Sequence, residues 1–531
     1  MNILLDGVSV FIDNWQLTTG ILVFITILLF PLFSLSRLKT DLESAFNLIG
    51  IFLALFIGIS LFLRLAFVSR ALLPSYFDSA QHYALIKGIM ANGLSWAAEK
   101  LRVDYYHMGF HFTAAFFVSI FQADIARTML ILGQVILAVL PLPFFFIIRH
   151  GTKSNGAAFF SLVVSSFGWY MPAHAVDWGK YPALTSLWML TLVFNLAYIV
   201  GQSKSTLHPK KRIVLFVFLG LSILVTTLMH SRSLIVIGIV FAAWMVSVWW
   251  SALPRLSQRL ILFPLIVAIT VETLIIQRNE ILSLLLDPYI DKGLLVTVLV
   301  LGLSVFAHKM HPQFTFAILL TTCFLLAAIF IPVNGLFPSR PYLTLLDRPY
   351  VEMILFMPLS LLGGLGLAGL EKMVKSPYQN YVVLMVIGLT SVYTLTRYEF
   401  YPSNCCVIVG SDDLAAMTWM EEQLPVNARI GVASRELKVV LDDVAEGDVG
   451  ADAGVWVMPL TGRVSILLPN NLDFDQHTAL DVICRKNVQY LFVGELGQTF
   501  DIARLTSRPT WYRPLLTMSG TRVYEVTGCS E

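Results

Sequence analysis

The sequence predicts a polytopic α-helical membrane protein of about twelve spans with a C-terminal α/β domain. Hydrophobic residues make up 57% of the 531 residues and charged residues only 13%, whereas soluble domains are about 45–50% apolar and about 25% charged. Long apolar runs repeat between residues 18 and 397, and the sign of the charge changes near residue 400. This composition excludes a soluble enzyme, a disordered regulator and a disulfide scaffold.

The charge distribution divides the chain into two parts. Residues 404–531 contain 10 Lys and Arg and 17 Asp and Glu, a net charge of −7, and residues 1–403 contain the other 26 basic and 17 acidic residues, a net charge of +9. We therefore expect a lipid-embedded domain over 1–403 and an acidic, water-soluble domain over 404–531. The overall net charge of +2 gives no reason to expect nucleic-acid binding.

Twelve segments have the length that a bilayer-crossing helix needs, about 20 residues within a range of about 17–25. The predicted spans are 18–35, 46–69, 125–148, 155–173, 181–201, 212–229, 233–250, 258–276, 291–308, 314–331, 351–371 and 380–397. We expect no cleavable signal peptide, because residues 1–17 contain Asp6 and Asp13 but no Lys or Arg.

Lys and Arg concentrate in alternate short loops, which predicts that these loops are cytoplasmic. The basic residues of this set are Arg37, Lys39, Arg149, Lys153, Lys204, Lys210, Lys211, Arg212, Arg255, Arg259, Lys309, Lys372 and Lys375. Both termini and the acidic domain are then expected outside the cytoplasm. This orientation requires that segment 105–121 does not cross the membrane. We expect a re-entrant or interfacial helix there, with Tyr105, Tyr106, His107 and His111 at the headgroup level.

One external loop is unusually long. Residues 70–124 separate the second and third spans, and their pattern predicts two short helices, around 78–93 and 105–121. Long ordered loops in compact proteins are usually functional. Two shorter external loops, 174–180 and 332–350, are rich in polar groups and in Pro and Arg, respectively.

The C-terminal domain alternates helical and strand-like segments. Residues 411–423 predict a helix with Ser411 or Asp412 as the N-cap. The predicted strands are 429–433, 454–458, 489–494 and 521–526. These elements predict a small α/β domain.

The five cysteines do not form a disulfide framework. Cys405 and Cys406 are adjacent, so a bond between them would be strained, and either of them could pair with Cys484 or Cys529. Cys323 lies within a predicted span.

Asp78 is the first candidate for chemistry. It lies just beyond the second span, and His82 and Tyr83 follow about one helical turn later, so Asp78 and His82 share a helix face. Asp78 is either a functional carboxylate or an N-terminal helix acid that the helix dipole favours.

Asp177 is the second candidate, in the loop after the fourth span, with His174, Trp178 and Lys180 nearby. It is either functional or a solvated loop acid paired with Lys180. The argument for function combines Asp78 and Asp177: both carboxylates are expected on the same side of the membrane, each at the end of a span. Such a pair can act as a general base and as a metal ligand or charge relay.

Arg348 and Glu352 are four residues apart at the start of the eleventh span. They form either an ion pair within the membrane domain or a site in which the Arg348 guanidinium binds a phosphate. Arg340 is a second candidate for phosphate binding.

Several other polar residues are open to both structural and functional interpretations. Glu272 lies within the eighth span, and Arg278 is a candidate to neutralise it. His230 and Arg232 lie in a tight external turn and could face the same cavity as the acids.

Metal motifs are weak in this sequence. His107 and His111 are four residues apart but lack the glutamate of a zinc-binding HExxH motif, so interfacial packing competes with substrate binding as their role. Asp78 and Asp177 are candidate ligands for a divalent metal such as Mg or Mn, and no cofactor is firmly expected.

Taken together, these motifs resemble the GT-C-fold glycosyltransferases, membrane enzymes that take sugars from polyprenyl-phosphate carriers. The resemblance rests on FDSAQHY, YYHMGFHFTAAFF and VDWGKYPAL in the membrane domain. The C-terminal segments DLAAMTWMEEQLPVNARIGV, WVMPLTGRVSILLP and NVQYLFVGE are similar to the extracytoplasmic domains of bacterial and archaeal members, such as those related to protein O-mannosyltransferases and aminoarabinose transferases.

The resemblance implies a role for three residues. Asp78 matches the catalytic base of the first external loop, Asp177 matches the supporting acid of the second, and Arg348 is similar to an arginine that contacts the carrier phosphate. The sequence departs from the family pattern at Ser79, where many relatives have a second acid. This departure leaves open which acceptor is used and whether a metal is needed.

The resemblance also implies a reaction and its partners. A sugar would pass from a polyprenyl-phosphate donor to a hydroxyl of a glycan, lipid or protein acceptor, with inversion, in the cell membrane and with the C-terminal domain outside the cytoplasm. His82, Tyr83, His107, His111, Lys180, Arg340, Arg348 and Glu352 are the expected substrate- and carrier-binding residues. The alternatives are a transporter or flippase of a lipid-linked substrate, or an assembly protein whose C-terminal domain binds an envelope partner.

Overall fold

The computed structural model describes residues 42–104, 106–202, 209–333, 343–375, 377–439 and 445–530. The membrane domain contains α1 Leu42–Arg70, α2 Phe77–Asp104, α3 Gly109–Phe121, α4 Ile125–Val139, α5 Leu142–Thr152, α6 Asn155–Phe167, α7 His174–Asp177, α8 Tyr181–Gln202, α9 Pro209–Met229, α10 Arg232–Ser251, α11 Arg255–Arg278, α12 Glu280–Ser283, α13 Asp287–Ile290, α14 Leu294–Met310, α15 Pro312–Ala327, α16 Arg348–Ile354, α17 Phe356–Met373 and α18 Gln379–Arg397. The predicted span 18–35, Tyr105 and Arg340 lie outside the described residues.

Nine helical segments within the described residues are long and apolar enough to cross a membrane. They are Ile49–Arg70, Ile125–Thr152, Tyr181–Gly201, Lys210–Met229, Arg232–Ser251, Arg255–Arg278, Pro312–Phe330, Arg348–Met373 and Gln379–Arg397. Each coincides with one of the predicted spans. The predicted class, a helical membrane protein with a C-terminal α/β domain, is confirmed.

Two further predicted spans are shorter than expected. Segment 155–173 contains only the 13-residue α6, and segment 291–308 contains the 17-residue α14. All of α6 after Asn155 is buried, and it packs against α17, which is itself mostly buried. Its apolar side chains therefore face protein, which hydropathy alone does not distinguish from lipid.

Helix starts in this domain are fixed by short polar side chains. Asp124 Oδ1 accepts a hydrogen bond from the Arg127 amide (2.8 Å) at the start of α4, and Ser154 Oγ accepts one from the Ala157 amide (3.0 Å) at the start of α6. Such caps satisfy amides that have no partner within the helix.

The long loop forms two helices, but with different bounds from those predicted. Helix α2 continues to Asp104 through a kink at Gly93, where φ is +72°, a conformation that glycine adopts at no steric cost. Helix α3 has 13 residues, fewer than the ~17 that a bilayer crossing requires. His111 on α3 is fully buried within the protein. Its expected position at the headgroup level stays a prediction.

The C-terminal domain is a mixed six-stranded sheet with short helices. Its elements are α19 Ser411–Gln423, β1 Arg429–Glu436, β2 Asp448–Gly450, α20 Val457–Thr461, β3 Val464–Pro469, α21 His477–Arg485, β4 Tyr490–Val493, α22 Ile502–Thr506, β5 Tyr512–Thr517 and β6 Arg522–Val526. Strand β1 pairs in parallel with β3 and β4, and β2 pairs antiparallel with the last residues of β1. Strand β6 lies antiparallel between β4 and β5.

Three of the four predicted strands are present, as β1, β4 and β6, but the predicted strand 454–458 is wrong. The Asp452 carboxylate accepts a hydrogen bond from the Gly454 amide (2.9 Å), and the chain turns into a 3₁₀ helix followed by α20. Pro459 within α20 has no amide to donate to a sheet. The expected N-cap of α19 is also wrong: Gly410 occupies that position, and its amide donates to Asp413 Oδ2 (2.8 Å).

The cysteine pairing differs from the alternatives that the sequence left open. Cys405 is bonded to Cys406, and Cys484 is bonded to Cys529. The second bond joins the end of α21 to the end of the sheet domain. The expectation that Cys405 or Cys406 pairs with a distant cysteine is therefore wrong.

The sheet domain packs on the first part of α2. The Tyr83 ring lies 5.5 Å from the Trp456 ring, and Lys87 Nζ donates to the Pro459 carbonyl (3.0 Å). The Tyr76 amide, just before α2, donates to the Cys406 carbonyl (3.0 Å). These contacts place the N-terminus of α2 directly beneath the sheet domain.

Candidate functional site

The candidate site begins where loop 174–180 meets the N-terminus of α2. Gly179 has a φ of +63°, and a side chain on it would collide with Ser79 Oγ. Only glycine therefore lets the loop approach α2 this closely. The result is an ion pair between Lys180 Nζ and Asp78 Oδ2.

The electrostatic balance at Lys180 favours its charged form. Burial alone would lower the pKa of this amine, but the Asp78 carboxylate and its hydrogen bond raise it above the ordinary value. Asp78 also lies in the first turn of α2, so it is both an N-terminal helix acid and the ion-pair partner of Lys180. Lys180 pairs with Asp78, and the expected alternative of a pair with Asp177 is wrong.

Two further ion pairs lie close to the first. Arg232 Nη1 is 2.8 Å from Asp347 Oδ2, and Arg348 Nη1 is 2.7 Å from Glu352 Oε2. The Arg348–Glu352 pair confirms the structural alternative for these residues. Asp347 also raises the pKa of Lys180, so the Arg232–Asp347 pair lies within electrostatic reach of the Lys180–Asp78 pair.

Arg348 retains an unused donor. Its guanidinium carbon lies 5.8 Å from the centre of the Trp178 ring in loop 174–180. The side chain is largely buried, and Arg348 Nε has no hydrogen-bond partner among the described residues. A buried N–H without a partner is costly, so this atom points to a polar group that a ligand could supply.

Four histidines surround these ion pairs. His82 Nδ1 lies 3.0 Å from His111 Nε2, and the ring of His107 lies 4.3 Å from the ring of His230. Burial, followed by Lys180 and His107, lowers the pKa of His82 to about 3. Burial, followed by Arg232 and Lys180, lowers the pKa of His107 to about 4. Near neutral pH these imidazoles are therefore uncharged hydrogen-bonding groups.

Asp177 occupies a different environment from Asp78. Its carboxylate is buried, with Oδ2 at 3.0 Å from His174 Nδ1 and Oδ1 accepting the Ser403 amide at 2.8 Å. Both oxygens are thus engaged by the protein. Asp177 joins loop 174–180 to the segment that leads into the sheet domain.

Two residues near the ion pairs were missed by sequence reasoning. Asp347 was overlooked although an aspartate before Arg-Pro is a recognisable N-cap signal, and its Oδ1 does accept the Tyr350 amide (3.2 Å) at the start of α16. Glu446 of the sheet domain is half-buried. Burial and then Asp347 raise its pKa, and Arg232 opposes this shift, so Glu446 lies within electrostatic reach of the site. No local pattern identifies Glu446.

The remaining candidates have structural partners. Tyr83 packs against Trp456 at the boundary with the sheet domain. Glu272 in α11 accepts a hydrogen bond from Cys323 Sγ (3.5 Å) rather than from the expected Arg278.

Potential metal ligands come together at a different place from the one expected. The ligand atoms of His174, Cys405 and Cys406 lie within 4.8 Å of one another. The two sulfurs are bonded to each other, however, so they do not offer thiolates. Asp78 and Asp177 do not belong to this group.

The chain is similar to a protein family and to a solved membrane-protein structure. Residues 34–277 match a family described as a family of unknown function (DUF6541). The fold is similar to that of the arabinofuranosyltransferase AftD from Mycobacteria, solved by single-particle cryo-EM, with a TM-score of 0.49 and 13% sequence identity. The match covers 90% of this chain but only 40% of the AftD chain. No curated protein matches the sequence.

Proposed function

We propose that this chain is a GT-C-type membrane glycosyltransferase that transfers a sugar from a polyprenyl-phosphate carrier to an acceptor hydroxyl, with inversion. The observation that carries the proposal is the Asp78–Lys180 ion pair at the end of the membrane domain, beside Arg232 and Arg348. A carboxylate next to a group of cations suits a reaction in which a base removes a proton while a phosphate leaves. The sequence resemblance to GT-C enzymes also involves Asp78 and Arg348.

Asp78 is the proposed general base. The acceptor hydroxyl gives its proton to the Asp78 carboxylate as the acceptor oxygen bonds to the anomeric carbon. The bond between that carbon and the phosphate oxygen breaks on the opposite face, and the carrier phosphate leaves with the electron pair. Lys180 orients the carboxylate through the ion pair and keeps its positive charge throughout.

Arg348 is the proposed phosphate ligand, and its unpaired Nε supports this role. A guanidinium can hold Glu352 through Nη1 and donate to a phosphate oxygen through another nitrogen. Arg232 adds positive charge nearby, and the uncharged His82 and His107 supply further hydrogen bonds. Asp177 and Glu352 act as positioning residues in this proposal.

The proposed partners follow from this chemistry. The donor is a polyprenyl-phosphate sugar, the acceptor is a glycan, lipid or protein, and the active site faces the extracytoplasmic side of the cell membrane. Lys180 already neutralises Asp78, and arginines are available for the phosphate, so we expect transfer to be insensitive to EDTA. Loss of transfer on chelation, with recovery on adding Mg or Mn, would show that a metal ion stabilises the leaving phosphate instead.

The test is transfer by the purified full chain in nanodiscs, supplied with a panel of radiolabelled polyprenyl-phosphate sugars and envelope glycan acceptors. Asp78→Asn should reduce transfer at least ~100-fold while the protein still elutes as a folded species. The matched control is Asp291→Asn, an exposed acid outside the site, which should retain full activity. Full activity of Asp78→Asn would reject the proposal. Movement of the lipid-linked sugar across vesicles without a new glycosidic bond would favour the flippase alternative.

A further inference from the structure

The adjacent cysteines Cys405 and Cys406 lie beside His174, in the segment that leads from the membrane domain into the sheet domain. The ligand atoms of these three residues lie within 4.8 Å of one another. Cys405 is exposed, whereas Cys406 and His174 are buried. The group therefore has one side that solvent reaches and another side that is packed within the protein.

The bond between Cys405 and Cys406 adds little to the stability of the fold. The two residues are neighbours in the chain, so the bond closes no loop of intervening residues. A disulfide stabilises a protein chiefly by restricting the unfolded chain, and this effect grows with the length of the closed loop. Because Cys405 is exposed, an external thiolate can reach the bond, and exposed disulfides are the more easily reduced ones. A reversible role therefore fits this bond better than a structural one.

Reduction converts the two cysteines into potential metal ligands. A dithiol reductant, such as a thiol–disulfide oxidoreductase, gives two electrons and two protons to the bond and becomes a disulfide itself. Cys405 and Cys406 then each carry a thiol. A metal ion that binds them displaces both protons, because the thiolate is the form that coordinates a metal.

His174 is oriented in the way that metal-binding histidines usually are. Its Nδ1 lies 3.0 Å from Asp177 Oδ2, and an ionised carboxylate only accepts hydrogen bonds, so Nδ1 carries the proton and Nε2 carries the lone pair. Metal-binding histidines commonly donate their other ring N–H to a carboxylate, which fixes the orientation of the ring. The Tyr170 ring stacks on His174 with centres 4.0 Å apart and restricts it further.

This set of ligand atoms favours zinc over harder cations. Thiolate sulfur and imidazole nitrogen are typical zinc ligands, whereas Mg and Mn prefer oxygen. Zn–S bonds of about 2.3 Å and Zn–N bonds of about 2.0–2.1 Å allow the ligands of one ion to lie up to roughly 4.6 Å apart. The three ligand atoms lie within 4.8 Å, so small side-chain rotations are sufficient to bring them onto one ion. Water at the exposed side can supply the fourth ligand of a tetrahedral ion.

We propose that Cys405, Cys406 and His174 form a redox-controlled zinc site. The disulfide form binds no zinc, and reduction creates a site with three protein ligands. This proposal does not depend on the transferase function. It also agrees with the expected insensitivity of transfer to EDTA, because the disulfide form offers no thiolate.

The zinc site lies where the segment around Cys406 contacts both acid-bearing loops. The Cys406 carbonyl accepts a hydrogen bond from the Tyr76 amide (3.0 Å), two residues before Asp78. The Ser403 amide donates to Asp177 Oδ1 (2.8 Å). Adding zinc to the reduced protein should therefore slow hydrogen exchange at the Tyr76 and Ser403 amides.

The test is zinc titration of the purified full chain in nanodiscs, before and after treatment with a phosphine reductant, which carries no thiol to compete for zinc. Competition with a chromophoric chelator gives the affinity, and Co²⁺ in place of zinc shows thiolate ligation by its charge-transfer absorption. Reduction should create a zinc site with this absorption, and an excess of Mg²⁺ should not displace the zinc.

Three variants assign the site to these residues. Cys405→Ser/Cys406→Ser should gain no thiolate-ligated site on reduction. His174→Gln should weaken zinc binding at least ~10-fold, since losing even an outer partner of a metal ligand commonly costs that much. The matched control is Cys484→Ser/Cys529→Ser, which removes the other disulfide and should bind zinc as the unmodified protein does.

Several results would overturn the proposal. One is the absence of zinc binding in a reduced protein whose free thiols have been confirmed by alkylation and mass spectrometry. Another is equal zinc binding by Cys405→Ser/Cys406→Ser and the unmodified protein. A bond that the phosphine does not reduce, or tight zinc binding before reduction, would overturn the redox control. None of these measurements uses sugar transfer, so the zinc site and the transferase can fail separately.

Discussion

Lys180 and Asp78, which are 102 positions apart in the chain, form an ion pair that joins loop 174–180 to the first turn of α2. The pair holds together the two loops that carry the acids singled out in the sequence. It also brings a protonated amine to the carboxylate that we propose as the general base.

The first prediction concerns Lys180. Lys180→Gln should reduce transfer at least ~10-fold without unfolding the protein, because Asp78 loses the partner that orients it. The comparison is Lys309→Gln, an exposed lysine at the end of α14, for which we expect normal transfer. Equal activity of the two variants would show that the ion pair does not matter for the reaction.

The second prediction concerns the buried pair Arg348–Glu352. Arg348→Gln alone should lower the stability by about 3–5 kcal/mol, because it leaves Glu352 buried without a counter-charge. The double variant Arg348→Gln/Glu352→Gln should recover most of that stability, as measured by thermal unfolding in nanodiscs. It should nevertheless bind the polyprenyl phosphate weakly, and carrier binding as tight as in the unmodified protein would argue against the phosphate role of Arg348.

The third prediction concerns Asp177. An alanine at this position leaves both His174 Nδ1 and the Ser403 amide without the carboxylate that they contact. Asp177→Ala should therefore speed hydrogen exchange in the segment around Ser403 by roughly tenfold, which corresponds to the loss of about one hydrogen bond. Asp124→Ala, at the cap of α4, should leave exchange in that segment unchanged.

The fourth prediction concerns pH. The unfolded chain protonates its histidines near pH 6.5, whereas the folded protein protonates His82 only near pH 3 and His107 near pH 4. Between these values the unfolded chain binds more protons, so stability should be highest above pH 6.5 and fall as the pH decreases toward 4.

Unfolding temperatures measured from pH 4 to 7.5 check this pH dependence. His107→Gln should flatten the decline, since it removes one of the protonating groups. His477→Gln, which changes an exposed histidine of the sheet domain, should leave the slope unchanged. If stability declined as steeply in His107→Gln as in the unmodified protein, protonation of His107 would not contribute to this pH dependence.

The fifth prediction concerns the disulfide between Cys484 and Cys529, which are 45 positions apart. Closing a loop of that length restricts the unfolded chain and stabilises the folded domain by about 4 kcal/mol in the chain-entropy description. Cys484→Ser/Cys529→Ser should therefore unfold the sheet domain at a lower denaturant concentration, measured in the full chain by near-ultraviolet circular dichroism. Unchanged unfolding would show that the bond adds no stability.

Much of the membrane domain could be predicted from the sequence because the signal is local. A run of about 20 apolar residues is sufficient for a span, and nine of the predicted spans coincide with helices of that length and character. The clustering of acids and arginines at span ends pointed to Asp78, Arg232 and Arg348. The wrong strand prediction at 454–458 also has a local cause. The segment has strand-like composition, but the Asp452 cap and Pro459 favour a helical turn.

The sequence by itself determined the class of protein, the position of most spans and a set of candidate charges. Tertiary structure decided which charge meets which: Lys180 with Asp78, Arg232 with Asp347, and Asp177 with His174 and Ser403. Hydropathy is a property of neighbouring residues, whereas the partner of a charged side chain depends on which loops the packed helices bring together.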